Sequence, residues 1–306
     1  MQVFSATLNQ MFVLFIFMAL GYILNIKNVL PNNSSAVLSK LETNVLVPCL
    51  VFNTFYKYCT MENINQKWLY LVYGTALMIV SIVIGVCMAK LFTKDDYLQK
   101  IYTYSFAVAN FSFMGNAVVL GIFGEEVLFD YMIFTLPLCL YVYSIGTASL
   151  IPNNSNKFSF KAFLNPICIS MFFGAVGGIT AIPLPKFITS AVSSAGACMS
   201  PLAMILTGFV VANYSIKTLA RMKRVYLASV LRLIILPIIF IGVLKLLNTN
   251  ETIIMLTLCA TAMPLGLNTV VFTAAYGGDT TPGASMALIS HLMSIITIPI
   301  MFAVLL

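Results

Sequence analysis

The 306-residue chain is 60 % hydrophobic and only 8 % charged, with a mean hydropathy of +1.00. A soluble domain carries roughly 25 % charged residues to build its polar shell, so a water-exposed globule is excluded and lipid must cover most of the surface. The net charge of +7 does not indicate a nucleic-acid binder, because the basic residues stand singly between apolar runs and not along one face. Runs such as Met11–Leu24 and Leu69–Ala89 are apolar all round. They therefore read as helices and not as the alternating strands of a spanning barrel. The seven cysteines are scattered without ligand spacing and read as small buried hydrophobes. Neither a metal nor a cofactor is expected.

At roughly 20 apolar residues per span, punctuation by charges, Pro, Asn and Gly divides the chain into ten predicted helices. They cover 7–24, 36–56, 68–91, 100–123, 128–150, 161–181, 187–211, 224–246, 252–275 and 284–305. No Lys or Arg precedes Lys27, so the first stretch lacks the basic region of a cleavable signal and reads as a retained span. The second carries Asn44 and Pro48, with Glu42 just inside it and expected to pair with Lys40 or Arg232. The fourth carries Asn110, Ser112, Gly115 and Asn116. Arg232 lies about two turns into the eighth, where snorkelling or a structural pairing is the expected role. The ninth carries Pro264, Gly266, Asn268 and Thr269, and the tenth holds His291, the only histidine. His291 has a titration range suited to proton coupling, but a lone intramembrane histidine reads first as a neutral packing residue.

Basic residues orient the bundle. The odd-numbered loops and their flanks hold eleven, namely Lys27, Lys40, Lys90, Lys94, Lys100, Lys157, Lys161, Lys217, Arg221, Lys223 and Arg224. The even-numbered loops hold four, Lys57, Lys67, Lys186 and Lys245. The positive-inside rule then predicts a multi-pass protein of the cell membrane with both termini extracytoplasmic.

The chain also repeats itself. Asn9, Gly21, Pro31 and Pro48 recur as Asn165, Gly177, Pro185 and Pro201, and Gly115-Asn116-Ala117-Val118-Val119 recurs as Leu267-Asn268-Thr269-Val270-Val271. The order is kept and the spacing is close to half the chain. The expected organisation is a first five-helix repeat over 1–152 and a second over 153–306. Five is odd, so the second enters the membrane from the opposite side. Inverted repeats of this kind mark secondary transporters that rock about a midplane site.

The fourth and ninth spans are the polar, Gly/Pro-interrupted ones. Asparagine is poor in helix interiors and costly in hydrocarbon without partners, and broken backbone is tolerated there only inside protein or along a wet cavity. Each break would free N–H groups at a positive helix end, and two such ends meeting at mid-depth make an anion site without a cationic side chain. The expected substrate-binding residues are Asn110, Ser112, Gly115, Asn116, Pro264, Gly266, Asn268 and Thr269, with Asn44, Pro48, Arg232 and His291 in supporting or coupling roles.

Several short motifs fall in a telling order: Asn44-Val-Leu-Val-Pro48 with Phe52, Asn110-Phe-Ser-Phe-Met-Gly115, Arg232 with Leu236-Pro237, Ala262-Met263-Pro264 with Asn268, Ala275-Tyr276-Gly277, and Pro299. Over nearly its whole length the chain resembles the auxin efflux carrier family, whose bacterial members include malate-type permeases. The resemblance implies an all-α membrane protein of ten transmembrane helices, as two inverted five-helix repeats with broken, crossing fourth and ninth helices. It also implies kinship with the bile-acid sodium symporter fold, and transport of a small organic anion, a carboxylate such as malate or an auxin-like acid. The family usually has Pro two residues after the glycine of the fourth span. Here Ala117 stands instead, so the first break is less strongly enforced than the one at Pro264.

Two other function classes are weighed. A channel or passive facilitator lacks a charged pore ring or filter motif. An intramembrane enzyme lacks HExxH, a paired-Asp motif and a second histidine, so no enzyme is expected. The bilayer, the organic anion and a coupling ion, H+ or Na+, are the expected partners; nucleic acid is not, and a homodimer is left open.

Overall fold

A computed structural model describes residues 2–31, 33–146, 149–150, 164–215, 217, 219, 221–266, 268–270 and 280–306. Among these residues the chain is helical between short turns and connections, with one isolated antiparallel bridge between Ala109 and Leu265. The helices are α1 (Gln2–Ile26), α2 (Ser34–Tyr58), α3 (Met61–Phe92), α4 (Asp96–Ala107), α5 (Asn116–Tyr141), α6 (Pro166–Thr180), α7 (Lys186–Ala212), α8 (Lys223–Leu246), α9 (Glu251–Thr261) and α10 (Thr281–Leu305). Six of them, α1, α2, α3, α7, α8 and α10, are long and apolar enough to cross a membrane, and α6 and α9 are shorter apolar helices. Gly124 divides α5 into two helical segments with φ 87° and ψ −177°. That conformation favours glycine, and it lies at the predicted turn between the fourth and fifth spans.

Polarity is arranged inside out. Phe12, Ile79, Phe172 and Val304 are more than half exposed, whereas Asn110, Asn116, Ser290 and His291 are at most 5 % exposed. Such a surface suits hydrocarbon and not water, and the interior is where polar groups find partners. The chain is an integral multi-pass membrane protein.

Two prolines leave a local mark. The π-turn Glu42–Leu46 inside α2 ends two residues before Pro48, and the π-turn Leu231–Ile235 inside α8 ends two residues before Pro237. A proline ring clashes with the carbonyl four residues back, and a widened turn makes room for it. In α2, the Thr43 hydroxyl and the Asn44 amide donate to the carbonyls of Ser39 and Lys40, both at 2.8 Å. Asn44 is exposed and satisfied by its own helix.

The close helix pairs fall into two groups, and α1 also packs along α10. α1 lies along α7 and α2 along α6, while α3 packs on α4 and α5, and α8 on α9 and α10. Glycines set the closeness of the first group. A Cβ on Gly21 would run into the Ile205 carbonyl, and one on Gly208 into that of Met18, so backbone touches backbone between α1 and α7. Gly174 and Gly178 do the same for α6 against the carbonyls of Phe52 and Phe55 in α2.

Gly21→Ala and Gly208→Ala should therefore each lower stability by about 1–3 kcal/mol, read as an earlier thermal transition in detergent. Gly242→Ala, in α8 with open space around it, should leave the transition unchanged or raise it slightly.

Candidate functional site

Two helices stop inside the protein. α4 ends at Ala107 and α9 at Thr261, and the extended residues that follow cross each other. Ala109 pairs with Leu265 at the crossing. The Asn110 N–H donates to the Pro264 carbonyl at 2.7 Å, and the Leu265 N–H donates to the Ser290 hydroxyl at 3.0 Å. Gly266 lies against the backbone of Ala109 and Asn110. Each bond satisfies a backbone group that no helix serves.

The second break lies where the sequence places it, at Pro264. The first differs. It falls at Val108–Asn110 and not at Gly115-Asn116, because Phe111–Gly115 already forms a π-turn leading into α5. Asn110 is the cap of that turn, its Oδ1 accepting from the Met114 N–H at 3.3 Å. A complete interruption thus forms with Ala117 in place of proline.

His291 orients the cap. Its Nδ1 is 2.7 Å from the Ala287 carbonyl and its Nε2 is 3.3 Å from Asn110 Nδ2. A carbonyl only accepts, so the proton sits on Nδ1 and Nε2 accepts from the amide, which describes a neutral imidazole. Pro48 and His291 are both buried, and Arg232 is 2 % exposed. Arg232 neither snorkels nor meets Glu42; its guanidinium donates to the carbonyl of Thr261, the last residue of α9, at 2.7 Å. A cation there offsets the negative end of the interrupted helix. Nor does Glu42 pair with Lys40, which is exposed; both carboxylate oxygens of Glu42 are enclosed without a hydrogen-bond partner among the described residues.

The first-turn N–H groups of Phe111, Ser112 and Phe113 precede the intrahelical donors. That turn opens on a cavity of about 40 Å³, walled by Val47, Val51 and Phe55 of α2, Ile167 and Met171 of α6, and Met132, Thr135, Leu136 and Cys139 of α5, with Phe111, Ser112 and Asn116 completing it. Of the predicted residues, Ser112 and Asn116 reach this cavity. Asn110, Pro264 and Gly266 build the crossing beside it. Asn268 and Thr269 do not line it: the Asn268 amide donates to the Tyr104 hydroxyl at 2.7 Å, and Thr269 bonds the Gly266 carbonyl at 3.2 Å.

Other residues escaped the sequence reading. Tyr131 donates to the Phe111 carbonyl at 3.1 Å, and Thr135 donates to the Tyr131 carbonyl at 2.8 Å. Their four-residue spacing on the fifth span is the signal that one helix face turns to the crossing. Lys67, expected in an outer loop, lies inside α3, where it meets Asp130 at 2.6 Å and stands 5.2 Å from the Phe129 ring centre.

Gly115 faces the Tyr131 hydroxyl, which a Cβ would strike. Gly115→Ala should destabilise the protein, and Tyr131→Phe added to it should recover part of the loss. The expected coupling is at least about 0.5 kcal/mol, against simple addition for residues that do not touch, read from thermal unfolding of the four variants in detergent.

The geometry can be set beside known proteins. An uncharacterized transporter of Methanothermobacter thermautotrophicus is 23 % identical over 309 residues, spanning 99 % of this chain and 100 % of that protein. The profile of the family described as membrane transport protein matches residues 6–159 and 150–302. With interrupted, crossing helices inside an apolar bundle and a family match that runs nearly end to end, the chain belongs to the membrane transport proteins of the auxin efflux carrier family.

Proposed function

We propose that this membrane transport protein is a secondary active transporter of a small organic anion, a carboxylate such as malate or an auxin-like acid. Its site is the cavity at the crossing, and alternating access about that site carries the substrate. One observation carries the reading: the first turn of the helix after the first break, with Ser112 and Asn116, opens on the cavity. Free N–H groups at a positive helix end suit a carboxylate, and the two polar side chains orient it. Apart from Thr135, whose hydroxyl donates to the Tyr131 carbonyl, the remaining wall is apolar and uncharged, which suits the body of an organic acid.

Size supports alternating access. About 40 Å³ is small for a dicarboxylate, which suits a site whose walls part on binding. Those walls belong to different packing groups, α2 and α6 on one side, α5 and the crossing on the other. In the expected repeats over 1–152 and 153–306, α1 corresponds to α6 and α2 to α7. The close pairs α1–α7 and α2–α6 are then mates under one pseudo-twofold, which favours one rigid group against which the other moves. The basic-residue bias of the sequence favours a cell-membrane orientation with both termini outside.

Labelled malate and indole-3-acetate counterflow in proteoliposomes tests the site. Asn116→Ala should cut exchange by about tenfold or more, the loss of a hydrogen bond to a charged group, with an unchanged thermal transition. Asn268→Ala, whose amide serves Tyr104, should cost less. Full exchange by Asn116→Ala would put the site elsewhere.

A further inference from the structure

We propose that Glu42 is the proton-binding group that couples transport to the pH gradient, an inference that rests on the transporter reading above. Glu42 is 0 % exposed, and neither carboxyl oxygen has a hydrogen-bond partner among the described residues. An ionised carboxylate so enclosed costs several kcal/mol unless a cation meets it. None does. The elements packed on its turn are α6, which carries no charged residue, and α7, whose only one is Lys186 at its first position. Their other titratable groups are the thiols of Cys168 and Cys198, with Cys49 on α2 itself. On α2, Lys40 is exposed and Lys57 pairs with Glu125 at 2.7 Å. This conformation therefore accepts Glu42 in its neutral form.

Position links that preference to transport. Glu42 opens the π-turn of α2 and shares its buried face with Leu46, Val47, Leu50 and Val51. Val47 and Val51 wall the cavity, about 7 and 14 Å further along at 1.5 Å per residue. When this wall parts, water reaches the carboxyl and it ionises. Closing again requires an O–H bond to form with a proton from the facing solution, and opening to the other side releases that proton. Protonation and closure are reciprocal. A metal cation fits less well: hard cations gather six or more oxygens, and the described residues hold no group of three His, Cys, Asp or Glu side chains.

The test uses the full chain in proteoliposomes with a trapped pH-sensitive dye and labelled malate. In the wild type an imposed pH gradient speeds uptake, and malate addition moves protons. Glu42→Gln should lose both signals while malate exchange persists at a reduced rate, and Glu42→Asp should keep both with a displaced pH profile. Proton movement by Glu42→Gln equal to wild type, or identical behaviour of the two variants, overturns the proposal. Infrared difference spectra of the purified protein after a pH jump decide independently of transport. A protonated-carboxyl band lost as pH rises in wild type and missing in Glu42→Gln supports the role; an unchanged band in the variant sinks it. A wild type that exchanges no carboxylate defeats the anion reading instead, and the infrared band still reports on Glu42.

Discussion

The hydrogen bond from the Asn110 N–H to the Pro264 carbonyl, 2.7 Å long, is the constraint around which the rest of the protein is arranged. Hydrocarbon offers no partner for a peptide group, so two helices can be interrupted within the bundle only if each interruption satisfies the other. The bridge Ala109–Leu265, the Ser290 hydroxyl on the Leu265 N–H and Arg232 on the Thr261 carbonyl complete that mutual satisfaction. What is left unserved is the first turn after Asn110. A helix start held open beside a cavity is chemistry that an unbroken span cannot offer.

The enclosed charges fall into three kinds. Lys67 and Asp130 neutralise one another, with Phe129 beneath the ammonium, and so fix α3 to α5. Arg232 is spent on a carbonyl and holds the end of α9. Among the described residues, Glu42 is the enclosed charge with no partner for its carboxyl oxygens. That contrast makes the Glu42 carboxyl informative, and the proposed proton coupling rests on its place on the same helix as the cavity-lining Val47 and Val51.

Much of this was readable from residue types, and the parts that were not have physical reasons. The break at Pro264 was legible because proline both lacks an N–H and clashes with the preceding turn. The first break was displaced because asparagine interrupts a helix and caps one equally well, and only the Met114 N–H and His291 show which role Asn110 takes. Ser112 and Asn116, which reach the cavity, stand out in the sequence by polarity within an apolar span. Asn268 and Thr269 looked equivalent to them, but helix rotation turns one to Tyr104 and the other back on Gly266. Lys67 read as a loop charge because its partner lies far along the chain, at Asp130. Tertiary pairing is beyond what spacing encodes.

The central claim is that a carboxylate binds at the helix start after Asn110, between Ser112 and Asn116. A structure determined with bound malate measures this most directly. The account predicts ligand density in the cavity, its carboxylate within hydrogen-bond distance of the Asn116 side chain and of the N–H groups of residues 111–113. Ligand seated elsewhere, as in the outer groove between Lys245 and Glu251, with the crossing cavity still closed, would contradict it.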